Sequence, residues 1–287
     1  MMHTSLVEHL LQMHNISLTI ASALPTGFGI DGSKGKLADG RLVAIKSNIS
    51  AASDEFLREG QMLQRLAREG WPVPDIIAAD EHCLVMSWLA SDGSSLTAEA
   101  EFKVGQKLAE LHQIPFPEFG YEVTTPIGRL PQSNGFCPSW VEFFKTQRLL
   151  SMADMAREMG RLSPQLLDRL HRFAEQLDDL IDEPAAASLL HGDIWGGNVI
   201  VANGQLSGFI DPAVYYGHRE IELAFTQMFG TFGSEFFKGY QTVTPLDPDF
   251  FKYRIEIYNL YPTLVHVVLF GEAYIPPIER VLDKFGA

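Results

Sequence analysis

The segment LLHGDIWGGNVIV at residues 189–201 constrains the fold of this 287-residue chain more than any other. Its His-Gly-Asp places a carboxylate, Asp193, directly after an apolar run, and Asn198 follows five residues later. A β-branched run then begins, which indicates a strand. A charge and an amide therefore lie on one short connection between apolar segments, a placement that needs a chemical reason.

The sequence after Asn198 predicts a β-hairpin. In VIVANGQLSGFID, the dipeptide Asn203-Gly204 is a strong signal for a two-residue type I′ turn. If pairing runs symmetrically about this turn, Asn198 lies opposite Phe209, and Asp211 falls two residues further on the same face. An amide oxygen and a carboxylate that share one space are suitable ligands for Mg²⁺.

Phosphoryl transfer requires this combination of side chains. One carboxylate, predicted to be Asp193, orients the attacking hydroxyl and accepts its proton, while Asn198 and Asp211 hold Mg²⁺ on the phosphates. The alternative is a loop aspartate and a turn asparagine that serve no common purpose. The occurrence of all three residues in one pattern favours a kinase over that alternative.

A glycine-rich segment is a candidate for binding the phosphates of a nucleotide. The stretch LPTGFGIDGSKGKL, residues 24–37, carries Gly27, Gly29 and Gly32 in G-x-G-x-x-G spacing. A strand is predicted on each side of it, as in kinases, whereas Rossmann and Walker loops open a helix. A plain β-turn is the alternative interpretation.

Lys46 and Glu59 form a predicted ion pair. Lys46 ends the apolar strand LVAIK, where an inward ammonium would suit phosphate; the alternative is a strand-end lysine in water. Glu59 lies on the apolar side of the next helix, three residues after Phe56 and four before Leu63. A carboxylate on that face needs a cation, and Lys46 is the candidate; the alternative is a boundary glutamate that faces solvent.

The first part of the chain is predicted to be rich in strands. Strands are expected at 16–22 and 82–89, with a hairpin at 36–46 that turns at Asp39-Gly40 and an amphipathic helix at 53–70. An N-terminal helix is also predicted, with Ser5 as its cap.

The second part is predicted to be mostly helical, with helices at 95–113, 139–160, 163–182, Glu220–Phe229 and Arg254–Phe270. The connection from Pro115 to Pro138 is long enough to suggest a binding or covering role. The predicted fold is therefore α+β and two-lobed. Residues 1–88 form an N-terminal nucleotide-binding lobe, and residues 89–287 form a C-terminal catalytic and substrate-binding lobe.

Charge and composition exclude several classes of function. A net charge of −14 with a pI near 5.0 argues against a nucleic-acid partner. Two cysteines, Cys83 and Cys137, are too few for a disulfide framework or a cysteine-based zinc site. No apolar run approaches ~18 residues and the N-terminus lacks a signal-peptide pattern, so we expect a soluble, cytoplasmic monomer or weak dimer without membrane association.

Three segments together resemble the fructosamine kinase family of the protein-kinase-like superfamily, which also includes aminoglycoside and choline kinases. They are the segment 189–201 with Trp195 inside its loop, GFIDPAVYYGHREIELAFTQMFG at 208–230, and FGYEVTTPIGRLPQSNGFCPSWVEFFKTQRL at 119–149. The resemblance covers nearly the whole chain. It implies an ATP-dependent kinase that phosphorylates the sugar 3-hydroxyl of a ketosamine, such as a fructosamine, a ribulosamine or a glycated lysine.

The resemblance also implies roles for individual residues, with ATP and Mg²⁺ as cofactors. These are Asp193 as catalytic base, Asn198 and Asp211 as metal ligands, Lys46 and Glu59 as the ion pair, and Gly27, Gly29 and Gly32 in the phosphate loop. Adenine is expected to bond to backbone groups near Ser87 and Leu89, behind Met86.

Four further residues carry weaker expectations. Trp195 is two residues from the expected base, and its indole face suits a sugar or an ammonium; the alternative is a core tryptophan that supports the loop. His218 is a candidate substrate contact whose role the sequence leaves undecided. His191 is expected to hold the loop through backbone bonds, and Glu222 to anchor its helix.

Two other functions remain open from the sequence. One is a kinase for an aminoglycoside or another amino alcohol, against which Trp195 and the segment 119–149 argue. The other is a non-catalytic nucleotide-binding member of the fold. The presence of all four expected residues argues against it: Lys46, Asp193, Asn198 and Asp211.

Overall fold

The computed structural model describes residues 2–26 and 29–287 of the chain, which divide into two units. The first unit comprises Met1–Thr97 and Gly197–Pro212, and the second comprises Ala98–Gly196 and Ala213–Ala287. Strands dominate the first unit and helices the second, which confirms the predicted α+β class.

The elements follow one another in a simple order. Up to residue 97 they are α1 (Met2–His14), β1 (Leu18–Leu24), β2 (Asp31–Leu37), β3 (Leu42–Ser47), α2 (Glu55–Arg68), β4 (Ile76–Ala79) and β5 (Cys83–Ser87). Up to residue 190 they are α3 (Ala98–His112), β6 (Pro115–Phe116), β7 (Thr125–Ile127), β8 (Leu130–Gln132), α4 (Trp140–Phe144), a π-helix (Lys145–Leu150), α5 (Ser151–Glu158), α6 (Pro164–Ala174), α7 (Leu177–Leu180) and β9 (Ala187–Leu190).

The remaining elements begin with a 3₁₀ turn (Gly196–Asn198) and the strands β10 (Val199–Ala202), β11 (Gln205–Phe209) and β12 (Tyr215–Gly217). They end with α8 (Arg219–Met228), α9 (Ser234–Val243), a π-helix (Phe250–Arg254), α10 (Ile255–Tyr258), α11 (Leu260–Phe270), a 3₁₀ turn (Glu272–Tyr274) and α12 (Ile275–Lys284).

A five-stranded antiparallel sheet in the order β1-β2-β3-β5-β4 forms the centre of the first unit. Side chains alternate along β3, so Val43 and Ile45 face one side of the sheet while Ala44 and Lys46 face the other. The first side packs with residues of α1, including Leu6 and Leu10. The second side packs with residues of α2, including Phe56 and Leu63. Each face of the sheet is thus covered by one helix.

Two local predictions in this unit are wrong. The hairpin of β2 and β3 has a three-residue loop, not a two-residue Asp39-Gly40 turn: the N–H of Leu37 donates to the carbonyl of Arg41, and that of Gly40 to the carbonyl of Leu37. Only Gly40 has a positive φ there, 91°. The helix α1 already includes Met2, so Ser5 lies inside it and is not its cap.

The hairpin of β10 and β11 has the predicted turn but not the predicted register. Asn203 and Gly204 have φ values of 53° and 71°, as a type I′ turn requires. The pairing shifts between Ile200 and Val201, so that Val199, and not Asn198, lies opposite Phe209.

The shift results from contacts that the hairpin makes with distant parts of the same unit. The N–H of Phe209 donates to the carbonyl of Pro72 at 2.7 Å. A Cβ at Gly208 would lie 2.9 Å from Leu89 Cδ1 and 3.0 Å from the Pro72 oxygen, so only glycine permits this close approach. The bulge therefore bends β11 onto the Pro72 backbone.

The compact units have different bounds from the predicted lobes 1–88 and 89–287. Residues just after position 88 bind the hairpin turn: Asp92 accepts from the N–H of Asn203 at 2.8 Å, and Ser94 accepts from that of Gly204 at 3.0 Å. The N–H of Thr97 donates to the Gly204 carbonyl at 2.9 Å. These bonds place both the segment up to Thr97 and the hairpin in the first unit. The functions assigned to the two lobes stay predictions.

Helices and a small sheet in the order β12-β9-β6 form the second unit. All four residues of β9 are buried, as are large aromatic side chains such as Trp140, Phe143 and Tyr258. Most helices of this unit were predicted, whereas α9 and α12 were not. The predicted long loop from Pro115 contains the short strands β6, β7 and β8.

Within residues 2–26 and 29–287, no helix combines the length and the apolar character needed to cross a membrane.

Candidate active site

Lys46 in the first unit bonds to two carboxylates. Its Nζ lies 2.7 Å from Glu59 Oε1 and 2.5 Å from Asp211 Oδ1. The side chains of Lys46 and Glu59 are 17% and 10% exposed, whereas that of Asp211 is 42% exposed. The predicted pair of Lys46 and Glu59 is therefore present, and Asp211 joins it from a segment 165 residues away in the sequence.

Lys46, Glu59 and Asp211 are here called the Lys46 group. Burial and neighbouring charges shift the pKa values in this group in opposite directions. Burial alone would lower the pKa of Lys46, but the charges of Glu59 and Asp211 outweigh it and raise the pKa above its ordinary value. Burial also raises the pKa of Glu59, against the lowering effect of Lys46. A permanently cationic Lys46 beside a half-exposed carboxylate is suited to anionic groups that arrive from solvent.

The glycine-rich segment places one of its glycines beside Lys46. Gly32 lies in β2 directly opposite Lys46, and side chains at directly opposite positions share a face. A Cβ at Gly32 would lie 2.5 Å from Thr26 Cγ2. Gly29 lies in the preceding turn with a φ of 78°. Gly27 is outside the described residues, so the predicted phosphate loop is seen only from Gly29 onward.

Some backbone N–H groups near the predicted adenine site already form hydrogen bonds within the first unit. The N–H of Ser87 donates to the carbonyl of Asp75 at 2.8 Å, and that of Trp88 donates to the carbonyl of Leu42 at 3.2 Å. Met86 is buried on the α2 side of the sheet. These bonds occupy the Ser87 N–H, so the Ser87 carbonyl and the Leu89 backbone stay the predicted adenine contacts.

Asn198 and Asp211 do not obey the alternation rule that placed them on one face. Asn198 ends a 3₁₀ turn and is buried, and its carbonyl accepts from the N–H of Ile210 at 3.1 Å. Asp211 follows Ile210 and has a φ of 57°, outside any strand. The derivation from symmetric pairing is therefore wrong. Non-glycine residues with positive φ are uncommon, and their occurrence at a charged, half-exposed position suggests a functional constraint.

The loop after β9, in the second unit, is held at its start by hydrogen bonds of His191. His191 and Ile194 are fully buried, whereas Asp193 is half-buried and Trp195 is 41% exposed. The N–H of Asp193 donates to His191 Nδ1 at 3.3 Å, and the carbonyl of His191 accepts from the N–H of Ala213 at 2.8 Å. The expected structural role of His191 agrees with these bonds.

Glycine is the only residue type that fits at position 192, between His191 and Asp193. Its φ is 87°, and a Cβ there would lie 2.0 Å from the carbonyl oxygen of Ala213. Any side chain would push the two backbone segments apart. The glycine in the His-Gly-Asp motif is thus required by packing, and Asp193 is held in place by it.

Glu222 braces the same loop, a role that sequence reasoning missed. Its Oε1 accepts from the N–H of Gly192 at 2.5 Å, and its Oε2 accepts from the N–H of His191 at 3.3 Å. The Oε2 atom also lies 2.9 Å from His112 Nε2, and the ring of His112 bonds to the Tyr240 hydroxyl. The glutamate therefore joins α8, α3 and α9 to the loop, and the sequence offered no signal for a contact 30 residues away.

We expect Glu222→Gln to lower kcat by about 10- to 100-fold, because loss of one acceptor oxygen lets the Asp193 loop shift. The KM for ATP should change little, since the substitution acts on the loop that carries Asp193 and not on Lys46, Glu59 or Asp211. Steady-state kinetics with varied ATP at saturating ketosamine measure this split between kcat and KM.

Glu220→Gln is the matched control. It breaks a buried pair with Arg254, at 2.7 and 2.8 Å, without touching the loop. It should lower the melting temperature but preserve kcat in the folded protein. Equal losses of kcat in both variants would show that Glu222 acts only on stability.

Trp195 begins a row of aromatic rings in which Trp195, Phe229 and Phe270 are exposed. Its ring centroid lies 6.1 Å from that of Phe229, which lies 5.3 Å from His266. The ring of His266 is followed by Phe270 at 5.4 Å and Tyr274 at 4.9 Å. With an exposure of 41%, Trp195 is not the core tryptophan of the alternative interpretation.

The structure gives His218 a different place from the one expected. It is buried, caps α8 by accepting from the N–H of Glu220 at 3.0 Å, and lies 5.8 Å from the ring of Tyr258. Burial, together with the charges of Arg219 and Arg254, lowers its pKa to about 3. A neutral, buried helix cap has no free edge for a substrate, so we do not assign it as a substrate contact.

The segment 119–149 is organised around a buried arginine. Arg148 donates to the carbonyl of Ser133 at 2.6 Å and to Asn134 Oδ1 at 2.7 Å. Its guanidinium lies 4.0 Å from the ring centroid of Tyr215. Gln132 in turn donates to the carbonyl of Ala213, which also approaches Gly192. The segment therefore supports the backbone against which the loop packs.

Comparison with known proteins gives matches over nearly the whole chain. The model of the fructosamine kinase family matches residues 5–286. A curated protein of Enterococcus faecium named "probable ketoamine kinase" is 40% identical over 179 residues, which are 62% of this chain and 64% of that protein. A solved structure from Thermobifida fusca, named "putative fructosamine-3-kinase", is 30% identical with a TM-score of 0.89 and covers 97% of both chains.

More distant structures share the fold. An aminoglycoside phosphotransferase in a ternary complex with AMP-PNP and hygromycin B is 15% identical with a TM-score of 0.61, and the match covers 97% of this chain and 98% of that one. At this identity the likeness supports the two-lobed, protein-kinase-like fold alone.

Proposed function

The chain belongs to the fructosamine kinase family, and from this premise we propose that it transfers the γ-phosphoryl group of ATP to the 3-hydroxyl of a ketosamine. The observation that carries the proposal is the bonding of Lys46 to both Glu59 and Asp211. A non-catalytic member of the fold would have no need to keep three charged groups together, because removing them from water has a desolvation cost.

We assign the nucleotide side of the reaction to the first unit. Lys46 contacts the phosphates, Gly29 and Gly32 keep the neighbouring backbone free of side chains, and the Leu89 backbone takes part in adenine binding. Asp211 and Asn198 supply hard oxygen donors, which fit Mg²⁺, and Asp211 offers a half-exposed carboxylate. Bound Mg²⁺ would neutralise charge that develops on the phosphates.

We assign the acceptor side to the loop in the second unit. Asp193 orients the sugar hydroxyl and takes its proton as the hydroxyl oxygen attacks phosphorus. Glu222 and Gly192 act through position alone, because they hold the backbone on which Asp193 stands. Trp195 offers its exposed face to the sugar or to the cationic amine.

A substrate panel tests the proposed activity. The purified chain would be incubated with ATP, Mg²⁺ and fructosyl-lysine, ribulosyl-lysine, a glycated peptide or kanamycin, with ADP release as the readout. Ketosamines should give the highest kcat/KM, and NMR of the product should place phosphate on the 3-hydroxyl. Faster turnover of kanamycin than of any ketosamine would replace this proposal with an aminoglycoside kinase.

Trp195→Ala should lower kcat/KM for the ketosamine by about 2- to 30-fold, the loss expected when a partly desolvated ring–ammonium contact is removed. The chain's net charge of −14 does not repel a cationic amine. The loss of kcat/KM in this variant should therefore report on the contact between the Trp195 ring and the amine. ATP affinity should not change.

Phe251→Ala is the control, because Phe251 is 48% exposed and, among the ring contacts of the described residues, meets only Phe237 and Phe250, both edge-on. It should leave both substrates unaffected. A Trp195 variant that binds ATP poorly and handles the sugar normally would place this tryptophan in the scaffold instead.

A further inference from the structure

Four side chains with metal-ligating atoms converge in the first unit, apart from the Lys46 group. His9 and His14 come from α1, Asp80 from the turn between β4 and β5, and Cys83 from the start of β5. Their ligand atoms, two ring nitrogens, a carboxylate oxygen and a sulfur, all lie within 4.8 Å of one another. The candidate catalytic chemistry uses none of them.

The carboxylate of Asp80 is the centre of the cluster. Its Oδ2 lies 2.7 Å from His9 Nε2 and 2.6 Å from His14 Nε2. Its Oδ1 accepts from the N–H groups of His82 and Cys83, at 2.7 and 2.9 Å. The turn therefore fixes the orientation of the carboxylate and aims one oxygen at the two rings.

Burial of the four residues is graded. Cys83 is fully buried and belongs to the core between the sheet and α1, while the side chains of His9, His14 and Asp80 are 18–21% exposed. The thiol therefore lies on the buried side of the cluster, and the other three ligands lie on the side that is partly open to solvent. Such a site can exchange an ion but shields it from bulk water.

We propose that His9, His14, Asp80 and Cys83 form a structural zinc site that fastens α1 to the β4–β5 turn. The proposal is independent of the kinase function. Two nitrogens, one oxygen and one sulfur match the ligands of a tetrahedral zinc site, whereas Mg²⁺ and Ca²⁺ prefer oxygen alone. On binding, the Cys83 thiol would lose its proton to solvent and coordinate as thiolate.

The required rearrangement is small. Tetrahedral bonds of about 2.0–2.3 Å place neighbouring ligand atoms about 3.3–3.7 Å apart. The contacts of 2.6 and 2.7 Å would therefore open, and pairs near 4.8 Å would close, each by roughly 1 Å. Rotation of the histidine rings can supply such shifts without moving the backbone.

Cobalt substitution tests the site, because cobalt bound to thiolate has a near-ultraviolet charge-transfer absorption. The tag-free protein would be stripped with a chelator, desalted and titrated with Co²⁺ and then Zn²⁺. We expect one equivalent of cobalt, the thiolate band, and displacement by zinc. Zinc should also raise the melting temperature of the stripped protein by several degrees.

The chain offers a matched pair of variants, since Cys83 and Cys137 are its only cysteines. Cys83→Ser should abolish the thiolate band and Cys137→Ser should keep it. His14→Ala should weaken zinc binding by at least ~100-fold, since even outer partners of a ligand contribute 10- to 100-fold. His171→Ala, on the exposed side of α6, should bind as wild type.

Several results would overturn the proposal. These are no thiolate band in the wild type, a band that survives in Cys83→Ser, or unchanged zinc affinity in His14→Ala. If Cys83→Ser does not fold, His14→Ala and Asp80→Asn decide the matter, because their altered side chains are partly exposed. A cluster held by hydrogen bonds alone would show no metal-dependent rise in melting temperature.

Discussion

Asp193→Asn should lower kcat by about 10²- to 10⁴-fold, the usual contribution of general-base catalysis. The amide keeps the shape of the side chain but cannot accept the proton of the attacking hydroxyl. The loop should keep its conformation, because His191, Gly192 and Glu222 hold it through backbone groups. ATP binding should be nearly unchanged, since the assigned phosphate contact is Lys46.

Two measurements check this expectation: the steady-state rate with a ketosamine, and the ATP dissociation constant from calorimetry. Asp179→Asn is the control, because it makes the same chemical change at an exposed position on α7. Its kcat should equal that of the wild type. An Asp193→Asn enzyme within a few-fold of wild-type kcat would show that another group accepts the proton.

The Lys46 group shows how far a local sequence pattern can predict a site. Spacing from Phe56 and Leu63 put Glu59 on the buried face of its helix, and a buried carboxylate needs a cation. Lys46 lies on the strand face that α2 covers, so the pair could be predicted from alternation and helical period alone. The third member, Asp211, could not be predicted as a partner of Lys46, because the sequence does not reveal contacts 165 residues apart.

The hairpin shows where local rules stop. Asn203-Gly204 predicted the turn correctly, but a symmetric register assumes that no residue bulges. The pairing skips Ser207 and resumes at Gly208, where the backbone of Pro72 and the side chain of Leu89 approach closely, and those contacts are tertiary. The shift of one residue removed the argument that Asn198 and Asp211 share a strand face, although Asp211 still reaches the Lys46 group.

A residue count cannot reveal a cluster whose members are distant in the sequence. Two cysteines are too few for a cysteine-based zinc site, but the proposed site with two histidines and an aspartate needs only one. The bonds of His9 and His14 to Asp80 span 71 and 66 residues. Glu222 was expected to anchor its helix, and its role in bracing the His191–Asp193 loop became visible only with the fold.

Asp211→Ala should abolish Mg²⁺-dependent nucleotide binding and lower kcat/KM by about 10²- to 10³-fold, since metal-ion stabilisation is worth several kcal/mol. The substitution removes a charged oxygen donor and one of the two carboxylates that hold Lys46. Asn198→Ala should have a smaller effect, because an amide oxygen brings no net charge to the cation. On the proposed assignment, Asp211 would contribute to both the metal and Lys46, and Asn198 would contribute an uncharged oxygen to the metal.

Calorimetric titration of AMP-PNP with and without Mg²⁺ separates these contributions. In Asp211→Ala the binding constant should no longer respond to Mg²⁺, whereas Asn198→Ala should respond at a higher Mg²⁺ concentration than the wild type. Asp211→Asn is the matched variant: it keeps an oxygen donor without the charge, so it should fall between the two alanine variants. Equal losses in Asp211→Ala and Asn198→Ala, or a larger loss in Asn198→Ala, would mean that the cation is held mainly by other oxygens, and Asp211 would then serve chiefly to orient Lys46.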